Sequence, residues 1–443
     1  METIQIKYKE GPSCDVLVCG GGVAGVAAAI TAARAGAKTI LIEKSTFLGG
    51  MATGALVTPM MKNAFTKGIF LEICDRLVKA GGGAVFKDGN PGWFNPEIYK
   101  IVLDEMCTEA GVEIFFDTQL VHANVNESED NYPRLRNVVV FNKNGFSSIN
   151  AKEFIDTTGD GDLMHLSGVS YESKEKQAMS LRFMMGGINV NELGKWLETN
   201  DKSGDSPVYY LDSGDILLST AFTFERDWAL KSFFEKALKN NDLTKEDAEY
   251  FQIFSVPGAH DMIAFNCPRI KNNDDISGAL ITGRQMIKRI SNFCRKYLPG
   301  FKSAYISQIA PNLGVRVTRR LVGQYRLTKD DVLSGKKFDD AIADSNWPID
   351  IHPNLEVRNQ KSEVRNPPKN DYYQIPLRSL LPKENEIKNL IVAGRCLSAD
   401  FEAQSSARIQ ANCIAMGEAA GNLAAKRVKQ ISLHLTEKQD QIN

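Results

Sequence analysis

The sequence predicts an α/β protein organised on a dinucleotide-binding βαβ unit, with a discontinuous first domain enclosing a second, α+β domain. Three stretches carry that prediction. They are Asp15–Lys44 near the start, a Gly/Asp turn at Lys152–Leu163, and a strand, loop and helix from Asn389 to Lys426 that return the chain to its first domain. The 443 residues leave room for two or three domains and a sizeable core.

The first stretch reads DVLVCGGGVAGVAAAITAARAGAKTILIEK. Val16–Cys19 is an apolar run of strand length that breaks at Gly20, Gly21 and Gly22, and an Ala-rich helix follows over Ala24–Ala35, stopped by Gly36. Lys38–Ile42 is a second strand, ending at Glu43. Gly20, Gly22 and Gly25 stand in G-x-G-x-x-G order: one makes the tight turn, one lets backbone approach a diphosphate, one lets helix pack on strand. The helix start, around Val23 and Ala24, offers free N–H groups and a positive dipole end to that diphosphate. Glu43, at the tip of the second strand, is placed to accept hydrogen bonds from a ribose. Ser45–Thr53 then add a second pair, Gly49 and Gly50. A nicotinamide domain has no need of it, whereas a longer flavin dinucleotide needs backbone close to its middle. The reading is FAD.

Composition narrows the remaining classes. Hydrophobic residues at 43% and charged residues at 24% are ordinary for a soluble globular chain, and a net charge of −1 gives no electrostatic case for nucleic acid or an anionic membrane. No apolar run approaches about 20 residues, so no membrane span is expected. The opening METIQIKYKEGPS lacks the apolar segment of a signal peptide. None of the eight cysteines stands in C-x-x-C and no histidine clusters with them, which argues against zinc. Cys14 precedes the first strand and Cys19 ends it, an odd offset that points them to opposite faces, so both read as small core residues rather than a redox pair. Such cysteine usage suits a reducing cytoplasm.

Further along, Gly68–Ala80 has helical spacing and ends at Gly81–Gly83, and Asn95-Pro96 reads as an N-cap with proline at the first helical position, opening a helix to about Ala110. Val112–Phe116 returns as a strand, and Leu120–Ile149 reads as an antiparallel excursion with turns at Glu127–Tyr132 and Asn142–Gly145. In the second stretch, KEFIDTTGDGDL, a short strand Glu153–Asp156 runs into Gly159, Asp160, Gly161 and Asp162, small residues at a strand end where a ligand can come close. The plainer reading is an Asp/Gly turn.

From about Ser170 to Asn370 the texture changes. Helices are expected over Thr223–Asn240, from Asp242 to Glu249 with Thr244 as cap, and over Asn273–Tyr297. There is no second G-x-G-x-x-G, so the region reads as a substrate or cap domain rather than a resident nicotinamide domain. Within it, GVRVTRRLVG clusters Arg316, Arg319 and Arg320, which stay charged and are costly to bury without anions. Either they form a solvated basic face paired with Asp330, Asp331 or Asp339, or they clamp a carboxylate or phosphate. Asp350-Ile351-His352-Pro353 offers His352 as acid, base or donor, against the plainer role of a structural histidine, and His260 beside Asp261 poses the same choice. In the return, Asn389–Gly394 is a buried-type strand, Arg395–Ser406 a polar loop, and Arg408–Lys426 a helix with close-packing positions at Gly417 and Gly421. That helix start is placed to face the N1–C2=O edge of a reduced flavin.

Together these residues resemble an FAD-dependent oxidoreductase family that carries GGGxAG…LGGMAT, a TGDGDL element, GVRxTRR, and VAGRCxSA followed by MGxAAG. All four occur in order at Gly20–Thr53, Ile155–Leu163, Gly314–Arg320 and Val392–Gly421. The resemblance implies a glutathione-reductase-type, Rossmann-like FAD domain with an inserted cap distantly similar to that of fumarate reductase and succinate dehydrogenase flavoproteins. It implies FAD contacts from Gly20, Gly22, Gly25, Glu43, Lys44, Gly49, Gly50, Met51, Gly159 and Asp160, with Arg408 near the isoalloxazine. No histidine follows the early Gly pair as a covalent anchor, so the FAD is expected to be non-covalent.

The expected domains are 1–168 with 371–443 for FAD, and 169–370 for substrate. The expected activity is that of a cytoplasmic FAD-dependent dehydrogenase or reductase, exchanging a hydride between flavin N5 and a small, anionic molecule, with an electron partner that sequence leaves open. Arg316, His352 and Arg395 are the catalytic candidates, and Arg316, Arg319 and His352 the substrate-binding ones. The alternatives are a flavin monooxygenase and a flavin-binding protein with a sensing role.

Overall fold

The computed structural model describes residues 5–64, 66–127, 132–352 and 372–440, and of residues 432–440 only the helical backbone. Lys9–Cys19 lies at the middle of a seven-stranded mixed sheet. It runs parallel to Thr39–Ile42 on one side and to Gly145–Asp156 on the other, and Thr39–Ile42 pairs in parallel with Glu113–Phe115. The outer edge of Gly145–Asp156 is shared. Its first half pairs antiparallel with Pro133–Asn142, and Phe154–Asp156 pair in parallel with the returning strand Leu390–Val392. Val16, Leu17, Val18 and Cys19 are all fully buried, as a parallel strand covered on both faces requires. Val16, Val18 and Leu41 face the helical core, while Leu17, Ile40 and Ile42 face a smaller core under the antiparallel excursion.

The helical face is set by small residues. The first helix, Val23–Arg34, packs against the long C-terminal helix Gln410–Asp440 along Ala24, Ala27, Ala28 and Thr31. A Cβ on Gly417 would lie 2.1 Å from the Ala24 carbonyl oxygen, and one on Gly421 2.3 Å from that of Ala28. Only hydrogen fits at both positions.

A second, antiparallel sheet of six strands runs in the order Val208–Tyr210, Ile216–Phe222, Phe251–Val256, Ala259–Phe265, Phe183–Gly186, Tyr305–Ile309. Its own core is rich in stacked phenylalanines, with Phe222 on Phe234 at 4.1 Å and Phe183 on Phe265 at 4.2 Å between ring centres. Apart from Leu56, that core is drawn from Met179 to Leu313, and Leu327, Val332, Ala343 and Ile349 already belong to the first core. The expected 169–370 division contains all of the second core but Leu56, and its end falls in 353–371, outside the described residues.

Several expected elements change. Cys14 lies inside the first strand, and Glu153–Asp156 are the end of a twelve-residue strand. Both Cys14 and Cys19 are buried free thiols, and burial pushes Cys14 up to about 12, which leaves it no thiolate character. The helix expected from Thr223 begins only at Lys231, because the apolar stripe that anchors it starts at Leu230 and continues through Phe234 and Ala237. Asp242–Glu249 forms a turn rather than a helix, with Thr244 and Asp247 exchanging side-chain-to-backbone hydrogen bonds. In the return, Asp400 caps a separate helix, Phe401–Ala407, by accepting from the Ala403 N–H at 2.7 Å. The polar loop is shorter than expected, and the chain breaks at Arg408–Ile409 before the long helix starts.

Two predictions follow from this packing. Gly421→Val drives methyl groups into the Ala28 carbonyl and costs about 3 kcal/mol of stability in urea unfolding; wild-type stability in the variant would mean the two helices are not in contact. The second concerns Glu153 and Asp156, which burial pushes up to about 7 and about 6, against Arg427 for the first and the Met164 and Thr158 donors for the second. Both folded values lie above the unfolded ones, so the stability these carboxyls lend is full in acid and is lost as pH rises through them. Glu153→Gln removes its share, so the melting temperature of the variant gains on wild type between about pH 5 and about pH 8. A difference that stays flat with pH refutes this.

Candidate active site

At the C-terminal edge of the mixed sheet the chain turns through Gly20 with φ +104°, where a Cβ would lie 2.6 Å from the Thr157 carbonyl oxygen. Gly25 performs the packing task read from sequence, since a Cβ there would meet the Gly20 oxygen at 1.8 Å. Gly22 caps the first helix with no side-chain acceptor, which leaves the first-turn amides at Val23 and Ala24 for an external anion. Gly49 bridges in parallel to Gly22 and donates its N–H to the Gly21 carbonyl at 2.8 Å, and a Cβ on Gly50 would lie 2.9 Å from the Gly22 Cα. The two glycine pairs thus form one backbone cradle, with Met51 opening a one-turn helix beside it. Glu43 is buried and accepts from the Gly21 N–H at 2.6 Å and the Ser45 N–H at 2.7 Å. A carboxylate has lone pairs beyond those two, so a hydroxyl can still be received. A small cavity of about 30 Å³ beside it is lined by Gly20, Glu43, Lys44, Thr118, Thr158 and Asp162.

A bridge of charge joins this cradle to the rest of the site. Arg395 donates to the carbonyls of Gly159 and Val315 and to the Asp160 carboxylate, which also accepts from Thr318 Oγ1 at 3.0 Å. Lys44 stands 3.9 Å from the other Asp160 oxygen. Against the penalty of burial, Arg395 and Lys44 hold the Asp160 carboxyl below the usual carboxylate range.

Beyond that bridge a cavity of about 540 Å³ lies between the two sheets. It is lined by Met51, Arg316, Asp350, His352, Arg395 and Arg408, by Gln252 of the second sheet with Arg182, Tyr250 and Asn266 next to its strand ends, and by Arg269 of a short strand paired with Met179–Ser180. Arg316 donates to the Ala178 carbonyl and to Ser180 Oγ, Arg182 to the carbonyls of Leu56 and Thr58 at 3.2 Å each, and Arg408 to the Asp350 carbonyl at 3.2 Å. None of the three has a carboxylate ion pair among the described residues. Arg269 lies 3.7 Å over the Tyr250 ring and donates to His352 Nδ1 at 2.9 Å. Buried polar atoms of lining residues have no hydrogen-bond partner among the described residues: Nε of Arg269 and Arg408, Oδ1 of Asn266, and Oε1 of Gln410. Burial, then the guanidiniums of Arg408, Arg269 and Arg182, press Arg316 well below the ordinary arginine range. Lys62, Arg182, Arg269, Arg316, Arg395 and Arg408 line the cavity against the single lining carboxylate of Asp350, so its wall carries an excess of positive charge.

The sequence-predicted cluster divides. Arg316 faces the cavity. Arg319 instead pairs with Asp162 at 3.0 Å and donates to the Asp160 carbonyl, so it braces the Gly159–Asp162 turn and does not line the cavity. Arg320 is fully buried between Glu172 and Glu175, at 3.3 and 2.8 Å, rather than beside Asp330, Asp331 or Asp339. Arg395 lines the cavity, with each of its three nitrogens engaged, by the Gly159 carbonyl, the Val315 carbonyl and the Asp160 carboxylate. His352 is half-buried at the cavity wall beside Asp350, whereas His260 is exposed and pairs with Asp215 at 2.7 Å. Arg182, Arg269 and Tyr250 were not anticipated. The signal was available: Arg182 is the one charge in the apolar run Ala178–Met185.

Known proteins offer some comparison. A stretch of 59 residues, 13% of this chain and 6% of the other protein, is 37% identical to a candidate bifunctional amine oxidase of Dictyostelium discoideum. Among solved structures, a geranylgeranyl bacteriochlorophyll reductase-like protein of Thermoplasma acidophilum is 13% identical at a TM-score of 0.46, over 98% of this chain and 83% of that one. The p-nitrophenol 4-monooxygenase of Pseudomonas putida is 12% identical at a TM-score of 0.40, over 72% of this chain and 71% of that one. At these identities no activity passes from them to this chain. Among the described residues no helix is long and apolar enough to cross a membrane. Over residues 15–434 the chain matches the family of FAD dependent oxidoreductases, and it belongs to that family.

Proposed function

We propose that this FAD-dependent oxidoreductase is a dehydrogenase or reductase that exchanges a hydride with a small organic anion held in the arginine-lined cavity. The observation that carries the reading is the buried guanidinium of Arg182 together with the half-buried ones of Arg316 and Arg408, which line the cavity without a carboxylate ion pair among the described residues. A buried cation left uncompensated is costly, and a carboxylate or phosphate presented to a guanidinium fork removes that cost.

FAD, when bound, supplies the two-electron chemistry. In this reading the amides at Gly22, Val23 and Ala24 receive its diphosphate, and Gly20 and Gly25 give the turn and the close helix that make room for it. Glu43 accepts from a ribose, with Lys44 beside it, while Gly49, Gly50, Met51, Gly159 and Asp160 border its middle. Arg408, at the break between two helices, lies toward the ring system. The cradle offers shape and hydrogen bonds but no histidine tether near Gly49–Gly50, which favours non-covalent binding. The second sheet then serves as the substrate side, as expected of a cap. Arg316 and Arg408 orient the anion from one wall and Arg182 from the other, and His352 is the group placed to hold or give a proton.

Two measurements test this. Purified protein should absorb near about 370 and about 450 nm, the bands of an oxidised flavin, and acid precipitation should leave the colour in the supernatant as FAD. A yellow pellet would refute non-covalent binding. In an anaerobic screen of organic acids, the reduced or oxidised protein should exchange electrons with an anion, and Arg316→Met should raise KM by about 100-fold, the worth of a charge-assisted hydrogen bond pair. Rapid oxygen consumption with hydroxylation of the anion, or an unchanged KM, overturns the reading.

A further inference from the structure

A guanidinium carries donors only. The 2.9 Å contact between an Arg269 terminal nitrogen and His352 Nδ1 therefore fixes the tautomer: Nδ1 presents its lone pair, and the single ring proton sits on Nε2, 3.4 Å from Asp350 Oδ2. His352 is neutral in this arrangement. The charged and titratable groups around it come from every side. Arg316 approaches from the loop after Gly314, Arg269 from the second sheet's side with Tyr250 beneath it, Arg408 from the helix break, and Asp350 from its own segment. Gln177 and Ala178 hold its main chain. Burial first, then Arg316, press the imidazole well below the ordinary histidine range. Asp350, against its own burial, is held below the carboxylate range by His352, Arg408 and Arg316.

Arg269 is only partly committed. Among the described residues His352 is its one side-chain hydrogen-bond partner, it has no ion pair, and its Nε is buried without a partner. Its flat face rests on the Tyr250 ring at 3.7 Å, a contact that survives rotation in the plane of the guanidinium. An oxyanion in the cavity offers that fork two charged acceptors, which a neutral imidazole nitrogen cannot match. The same anion offsets Arg316 and Arg269, the charges that oppose protonation of His352.

We infer that binding of an anion in the arginine cavity draws Arg269 away from His352, and that the vacated Nδ1 takes up one proton from solvent. The step balances simply: one proton is gained, one Arg–His hydrogen bond is exchanged for an Arg–oxyanion pair, and Asp350 keeps the Nε2–H. Arg269 is then a positioning residue that keeps the acid unarmed until substrate is present. The inference rests on the cavity being an anion site.

The test uses the FAD-loaded protein with sulfate and acetate, neither of which titrates near neutral pH. Calorimetry in buffers of different ionisation enthalpy should report close to one proton taken up per sulfate bound. Affinity should weaken about tenfold per pH unit between about pH 6 and about pH 8. His352→Asn should abolish the uptake while anions still bind. Arg269→Met, which frees Nδ1 beforehand, should raise the pH below which the uptake fades, while burial and Arg316 still oppose the proton. Nitrogen-15 spectra of the protein's five histidines, assigned with His352→Asn, should show Nδ1 changing from lone-pair to protonated on anion addition. Binding without proton uptake, uptake that persists in His352→Asn, or a pH range of uptake unmoved in Arg269→Met overturns the linkage and leaves the anion site standing. Absence of binding by either anion overturns both.

Discussion

Bare backbone meets bare backbone at the start of the first helix, and much of the architecture depends on that contact. Gly25 brings the helix down on the turn at Gly20, and Gly417 and Gly421 let the last helix lie against the Ala24 and Ala28 carbonyls. One helix is therefore gripped on two sides by residues without side chains, and its N-terminus is held at a fixed point above the sheet edge. The same grip fixes the end of the chain. The strand Leu390–Val392 must enter beside Phe154–Asp156, and Arg395 and Arg408 follow at set distances from the nucleotide cradle. A methyl group at any of these glycines moves the cofactor side of the site as well as the core.

The second organising term is charge. The mixed sheet and its helices make a cradle of amides and small residues, which suits a diphosphate whatever the chemistry. The cavity between the sheets is different, because its arginines come from segments far apart in sequence: Arg182 and Arg269 from the second sheet's side, Arg316 from the crossing, Arg408 from the return. Mutual repulsion among them is part of their cost, and Asp350 offsets only one charge. A folded chain tolerates such an excess where a ligand completes it.

How much of this was legible follows from which interactions are local. The cradle was readable because its glycines, its helix and Glu43 lie within one continuous stretch, where spacing alone dictates geometry. Asn95-Pro96 was readable for the same reason, and Asn95 does accept from the Glu97 N–H. The arginine cluster at 316–320 was visible as a cluster but its three members have three destinies, decided by Glu172, Glu175 and Asp162 from elsewhere in the chain. Nothing in the local pattern distinguishes Arg316 from Arg320. Arg182 escaped because it is a solitary charge within an apolar run and Arg269 because it opens a polar stretch, Arg269–Asp275, that reads as an ordinary loop, and neither pattern shows that the two meet at one cavity. The helix expected at Thr223 failed for a simpler reason: composition favoured it, but Glu225, Arg226 and Asp227 break the apolar spacing, and the fully buried stripe begins only at Leu230.

The two halves of the site therefore answer to different constraints. The cradle depends on the absence of side chains, so almost any substitution there is a loss, and it carries little information about substrate. The cavity depends on charge balance, and on the proposed reading it discriminates: a neutral compound of the right shape would leave Arg182, Arg316 and Arg408 uncompensated, whereas an anion would satisfy them and change the field felt by His352 at the same moment. In that arrangement recognition and proton chemistry share one set of groups. Specificity for an anion is then the same physical property that decides when the histidine can carry a proton.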